Sequence, residues 1–206
     1  MPIRKLPLLL LTLLLAAVAA KADTVTVKLT GVDGASDDGY YIDPYYGTVD
    51  GSRTTLWCVD FNHEVWIGDS WTANVTKLTE HNADFINTNL YSKYPTSVED
   101  VYEEIVWLIQ NYNQDPVSAQ WVIWDLSANT INVHAAGHDK YTDLYNAAVA
   151  NRENVNTAGW SILTNVNLSQ ASHWQEFIVT PEPGTFLLLG TGLIGLGAIW
   201  RRRKRT

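Results

Sequence analysis

From Thr24 to Thr30 the chain alternates as TVTVKLT, with β-branched side chains at most positions, and a second such run covers Thr54 to Phe61. A period of two with β-branched residues predicts strands, and the stretch from Gly31 to Gly34 together with Gly39 marks turns between them. The period changes after Ser97. Val98, Val101, Tyr102, Ile105, Leu108, Ile109 and Tyr112 recur at helical spacing through Asn113, behind a capping box of Ser97 and Asp100. A second helix is specified at once: Asp115 is an N-cap, Pro116 takes the first helical position, and Val117, Trp121, Trp124 and Ala128 share one face. A third begins after Asp139, with Tyr141, Leu144, Tyr145 and Ala148 as its inward stripe. Alternation returns from Trp160 to Leu168 and from His173 to Val179, across a polar turn at 167–172. Strands, then helices, then strands, with no internal repeat, predict an α+β domain. Its core is a mostly antiparallel sheet or sandwich with an inserted helical subdomain of about three helices.

Two further apolar runs do not fit a globular pattern. Arg4 and Lys5 precede Leu6 to Ala20, and Ala20-Lys21-Ala22 supplies small residues around a cleavage point, so residues 1–22 read as a signal peptide with a mature start near Asp23. At the other end, residues 184–200 carry no charge. A helix of 17 residues at ~1.5 Å rise per residue just crosses a hydrocarbon core, so this run is expected to be a transmembrane helix. Arg201, Arg202, Arg203, Lys204 and Arg205 follow it and are expected to stay cytoplasmic, which places residues 23–180 on the far side of the membrane.

Charge and cysteine use sharpen this picture. The 158 residues from Asp23 to Thr180 are enough for one domain with a real core, and they hold six basic against 21 acidic side chains, a net charge of −15. That balance argues against nucleic acid and anionic lipid surfaces as partners. Cys58 is the only cysteine, so an internal disulfide is excluded. A lone exported cysteine is a buried apolar filler, an intermolecular partner or a committed nucleophile.

The tail, with Pro181-Glu182-Pro183, one apolar span and an Arg-rich end, resembles the PEP-CTERM sorting signal of Gram-negative bacteria. The resemblance covers residues 180–206. It implies recognition by an exosortase, a membrane transpeptidase-like enzyme that cleaves near the motif, so that the chain is membrane-anchored before processing and then released or joined to surface material. A second resemblance lies inside the domain. Ala119-Gln120-Trp121-Val122-Ile123-Trp124 and the upstream Trp57-Cys58-Val59-Asp60 look like the glutamine and cysteine regions of the thioester domains of bacterial surface adhesins, over roughly Leu56 to Leu126.

That resemblance implies an internal thioester between Cys58 and Gln120. The thiolate attacks the side-chain carboxamide and expels ammonia, an exchange that contact makes unimolecular, with effective molarities of ~10⁵ M or more for well-oriented pairs. Trp57, Trp121 and Trp124 are placed to exclude water from the bond. A partner's amine or hydroxyl, including one on an exopolysaccharide, would then take the acyl group once, so the domain would not be a turnover enzyme. The alternative is a noncovalent structural or glycan-binding extracellular protein, with Cys58 as core packing and the tryptophans either core or stacking surfaces.

Other chemistry is thinner. His134 and His138 have the spacing of a zinc pair but sit in a loop around Ala135-Ala136-Gly137 with no acidic base between them, so no metal is expected. Glu99, Asp100, Glu103 and Glu104 read as a solvated helix face. Asp60 and Glu64 have no better claim to be a glycosidase pair than other acidic pairs in so acidic a domain. No cofactor is expected.

Overall fold

The computed structural model describes residues 24–34, 36–37, 39–42, 44–79, 82–112, 114–128, 141–167 and 175–180. The expected signal peptide, the Pro181-Glu182-Pro183 motif, the apolar run 184–200, the basic cluster, His134 and His138 lie outside these residues. Among the described residues no helix is long and apolar enough to cross a membrane, and no group of ligating side chains could hold a metal ion.

Among the described residues eight strands form: β1 Thr24–Val32, β2 Ser36–Asp37, β3 Tyr40–Tyr41, β4 Tyr45–Val49, β5 Ser52–Cys58, β6 Ser70–Lys77, β7 Ser161–Asn165 and β8 Phe177–Val179. Three α-helices among the described residues lie between β6 and β7: α1 Val98–Asn111, α2 Pro116–Ala128 and α3 Thr142–Asn151. The α+β class and the helical insertion match the sequence pattern, but the sheet is neither open nor a sandwich. Six strands close into an antiparallel barrel in the order β1-β4-β5-β8-β7-β6, because β6 pairs with β7 on one side and with β1 on the other, from Thr24 opposite Asn74 to Lys28 opposite Ser70. Closure leaves no edge strand within the barrel. The remaining two strands, β2 and β3, form a separate hairpin.

Register and burial together define the two faces of the barrel wall. Val27, Leu29, Tyr45, Leu56, Trp71, Ala73, Leu163 and Phe177 occupy facing positions and fill the interior. Tyr45 and Trp71 each bring a ring to within 6 Å of Phe177, at 5.6 and 5.8 Å. Gly47 of β4 makes room for this packing, since a Cβ there would lie 2.5 Å from Leu56 Cδ1 and 2.8 Å from the carbonyl oxygen of Lys28. The alternate positions Trp57, Ile162 and Ile178 point outward yet are also buried, which requires a covering layer on that side.

The helices provide that layer. Val98, Val101, Tyr102, Ile105, Leu108 and Ile109 give α1 its buried stripe. Asp115 caps α2, accepting from Ser118 N–H at 3.2 Å and from Ser118 Oγ at 2.7 Å. Every residue from Ala119 to Trp124 is buried, so α2 is enclosed on all sides and not only along one face. Two details depart from the pattern. Ser97 makes no side-chain cap bond, and Asp100 instead lies 3.5 Å from Arg152. Glu104 is not on a solvated face: it is buried beneath α3 and paired with Arg152 at 3.2 Å.

Candidate functional site

Cys58 is the last residue of β5, and strand alternation turns its side chain to the same face as Leu56 and Phe177. Gln120 sits in the first turns of the enclosed helix α2, and both residues are completely buried. They meet. Gln120 Nε2 donates to the carbonyl oxygen of Cys58 at 2.6 Å, although 62 positions separate them in the chain. The other end of the carboxamide is different, because Gln120 Oε1 has no hydrogen-bond partner. An orphaned buried acceptor costs about 1–3 kcal/mol, so such an atom calls for a specific explanation.

The thiol is held as well as buried. Cys58 Sγ donates to the carbonyl oxygen of Asp60 at 3.3 Å. Burial pushes its pKa up to about 12, against the pull of the Trp124 indole and the Asp60 backbone and with a smaller push from the Asp60 and Glu176 carboxylates. At neutral pH the group is therefore a thiol. The Trp124 indole N–H reaches no acceptor at full hydrogen-bond geometry, so its pull on the sulfur is that of a weak contact.

Of the three tryptophans expected to act as a shield, two lie together near Cys58. Trp124 packs edge-on against Trp121 at 5.5 Å and against Phe61 at 5.1 Å, and both tryptophans are buried. Tyr40 of the small hairpin closes over them, with its ring 4.9 Å from Phe61, 6.4 Å from Trp121 and 6.1 Å from Trp124. The hairpin is tied down by Trp121 Nε1, which donates to Asp37 Oδ2 at 3.0 Å. Trp57 is also buried, but alternation sends it to the opposite face of β5 from Cys58.

Beyond Cys58 the chain builds a polar cluster that the sequence pattern did not single out. Asp60 accepts from Asn62 N–H at 3.1 Å, from Asn89 Nδ2 at 2.7 Å, and lies 2.5 Å from His63 Nδ1. That hydrogen bond raises the pKa of His63 above its ordinary value, in spite of partial burial. Behind it, the carboxylate of Glu176 accepts from Tyr102 and Thr164 hydroxyls, each at 2.5 Å, and from Asn89 N–H at 2.8 Å. Burial pushes Glu176 up to about 7, against these donors. The Asp60–His63 side of the cluster opens on a cavity of about 340 Å³ whose walls include Phe61, Asn89, Tyr91 and Lys93. The spacing Asp60-x-x-His63 was a readable sign of a paired carboxylate and imidazole. Glu64, by contrast, is exposed and takes no part.

Residues 179–204 match the PEP-CTERM protein-sorting motif. No curated protein and no solved structure matches the chain. The match starts at Val179, the last residue of β8, so the sorting signal continues directly from the strand that pairs with both β5 and β7. The chain carries a PEP-CTERM motif, which implies exosortase-dependent export and sorting to the cell surface.

Proposed function

We propose that this is an exported cell-surface or extracellular-matrix protein in which Cys58 and Gln120 form an internal thioester, used once to attach the domain covalently to a surface partner. The observation that carries the reading is the placement of the Gln120 carboxamide. It is fully buried against Cys58, its nitrogen is fixed on the Cys58 carbonyl, and its oxygen is unpartnered. In the bond-forming step the Cys58 sulfur attacks the carboxamide carbon, the thiol proton goes to the departing nitrogen, and ammonia leaves. Burial disfavours a free thiolate at this position. It likewise keeps water from the acyl bond once made. The run 184–200 would hold the chain in the inner membrane until an exosortase acts near Pro181-Glu182-Pro183.

Intact mass of the purified chain tests this. A deficit of one ammonia is expected, absent in Cys58→Ala and in Gln120→Ala, and replaced by an adduct after treatment with methylamine. An unmodified mass with a thiol titratable on unfolding would remove the thioester. A second reading is favoured by the depth of Cys58 in the core: a noncovalent structural or glycan-binding protein in which Cys58 and the tryptophans only pack. The unmodified mass is the outcome that reading requires.

A further inference from the structure

We propose that the cavity beside Asp60 and His63 is a noncovalent binding site for a carboxylate-bearing sugar, a uronic acid, whose acid group is held by His63 and Lys93. Neither Cys58 nor Gln120 lines this cavity, so the site stands whether or not the thioester forms.

The geometry begins in the turn that follows β5. Asp60 is buried, and its carboxylate already takes three contacts: Oδ1 accepts from Asn62 N–H, and Oδ2 meets His63 Nδ1 and Asn89 Nδ2. It therefore orients the imidazole and has little left to offer a ligand. With Nδ1 fixed in this way, Nε2 lies on the opposite edge of the ring, where it has no hydrogen-bond partner among the described residues. His63 is partly exposed, so the ring is the accessible part of the pair. Lys93 reaches the same cavity from the segment before α1, with its Nζ anchored on the carbonyl oxygen of Ser127 at 3.1 Å. The rest of the wall offers two kinds of surface. Phe61, Tyr91 and the largely exposed Ile86 are aromatic or aliphatic, whereas Asn62 and Ser92 bring an amide and a hydroxyl. At about 340 Å³ the cavity is at the small end of ligand sites, with room for one small ring and not for several.

Charge selects the ligand. Residues 23–180 hold six basic side chains against 21 acidic ones, yet one of those six stands at this cavity beside a histidine. The charged groups facing His63 are Asp60 on its own turn, Lys93, and Glu176 just before β8. The hydrogen bond to Asp60 raises the pKa of His63, so the imidazolium persists to higher pH than in an ordinary histidine, while Lys93 opposes that charge. An anion held by both cations removes their repulsion and gains a charge-assisted hydrogen bond from Nε2–H, the edge that Asp60 leaves open. A cationic ligand would meet Lys93 and the imidazolium. A neutral sugar would use the wall but leave both charges without a counterion. A uronic acid uses all of it: its apolar ring face suits Phe61 and Tyr91, its hydroxyls suit Asn62 and Ser92, and its carboxylate suits the two cations.

Calorimetric titration of the full chain in detergent with galacturonate, galactose and acetate tests this. At about pH 5.5 galacturonate should bind at least about tenfold more tightly than either of the others, the gain expected of a charge-assisted hydrogen bond added to ring contacts. Its affinity should fall about tenfold by about pH 8.5, as the imidazolium loses its proton. Glu176 ionises over part of this range and acts in the same direction, so the fall should persist in Glu176→Gln and be largely lost in His63→Gln. His63 is partly exposed and Lys93 exposed, so both can be replaced without opening the core. His63→Gln and Lys93→Gln should each weaken galacturonate about tenfold at the lower pH and galactose less than about threefold. Trigalacturonate separates two sources of the same acid group: tighter binding than the monomer marks the end of a polysaccharide as the ligand, and equal binding marks a free sugar. Affinity for galactose or for acetate equal to that for galacturonate would overturn the acidic sugar as ligand. Absence of binding, or binding unchanged in both variants, would overturn the site. The ammonia deficit, read by mass on the same samples, reports on the thioester separately.

Discussion

At the scale of single residues, Cys58 and Gln120 can be told apart from ordinary core by what their replacement costs. A thioester between them would close a loop spanning 62 positions. By the chain-entropy relation used for disulfides, such a cross-link stabilises by about 4 kcal/mol. Without the bond, Gln120→Leu removes one hydrogen bond to the Cys58 carbonyl but also removes the orphaned oxygen, so the two effects largely offset each other to within about 1 kcal/mol. We therefore expect Gln120→Leu and Cys58→Ala each to lower unfolding stability by about 4 kcal/mol. The double variant should be little worse than either, because both delete the same bond. Denaturant titration of the four proteins checks this; additive losses near 1 kcal/mol each would mark the pair as packing.

At the scale of elements, the β2–β3 hairpin matters out of proportion to its size. It lies outside the barrel, is held by the Asp37 bond to Trp121 and by the Tyr40 ring contacts, and half of the Tyr40 surface is exposed. Loss of one such contact, worth about 0.5–1.5 kcal/mol, raises the open population up to about tenfold. Tyr40→Ala and Asp37→Ala should accordingly speed methylamine uptake up to about tenfold with the barrel's unfolding midpoint nearly unchanged, and unchanged uptake rates would show the hairpin to be no cover. This hairpin was hidden in the sequence because its strands are two residues each, too short for a period to appear. Barrel closure was hidden for a different reason: pairing of β6 with β1 is set by long-range register, and Tyr45–Val49 is interrupted by Gly47, whose purpose is the approach of Leu56 and Lys28. The start of α2 was legible because Asp115 and Pro116 act locally. Glu176 was not, since its partners Tyr102, Thr164 and Asn89 come from three separate parts of the chain.

At the scale of the whole molecule, the acidic domain and its buried carboxylate act in the same direction with pH. Glu176 titrates near 7 in the fold against an ordinary value of 4.5, and His63 is raised above 6.5. Both therefore bind protons more tightly when folded. Their stabilisation is complete below the unfolded-state values and is lost as pH rises through the folded-state values, a window from about pH 4.5 to 7 for Glu176 and one that begins at 6.5 and runs upward for His63. For Glu176 the effect is on the order of 3 kcal/mol. Repulsion among the 21 acidic side chains of residues 23–180 also eases on acidification, but salt separates the two contributions. At ~1 M salt the Debye length is about 3 Å, which screens exposed charges and leaves the desolvation of Glu176 untouched. The melting temperature should thus be higher at pH 5 than at pH 8 even in high salt. Glu176→Gln should remove most of that remaining slope, because the amide has no proton to gain. A melting temperature that rises from pH 5 to pH 8 in high salt would mean that Glu176 is charged and well solvated in the folded protein, contrary to its complete burial among Tyr102, Thr164 and Asn89.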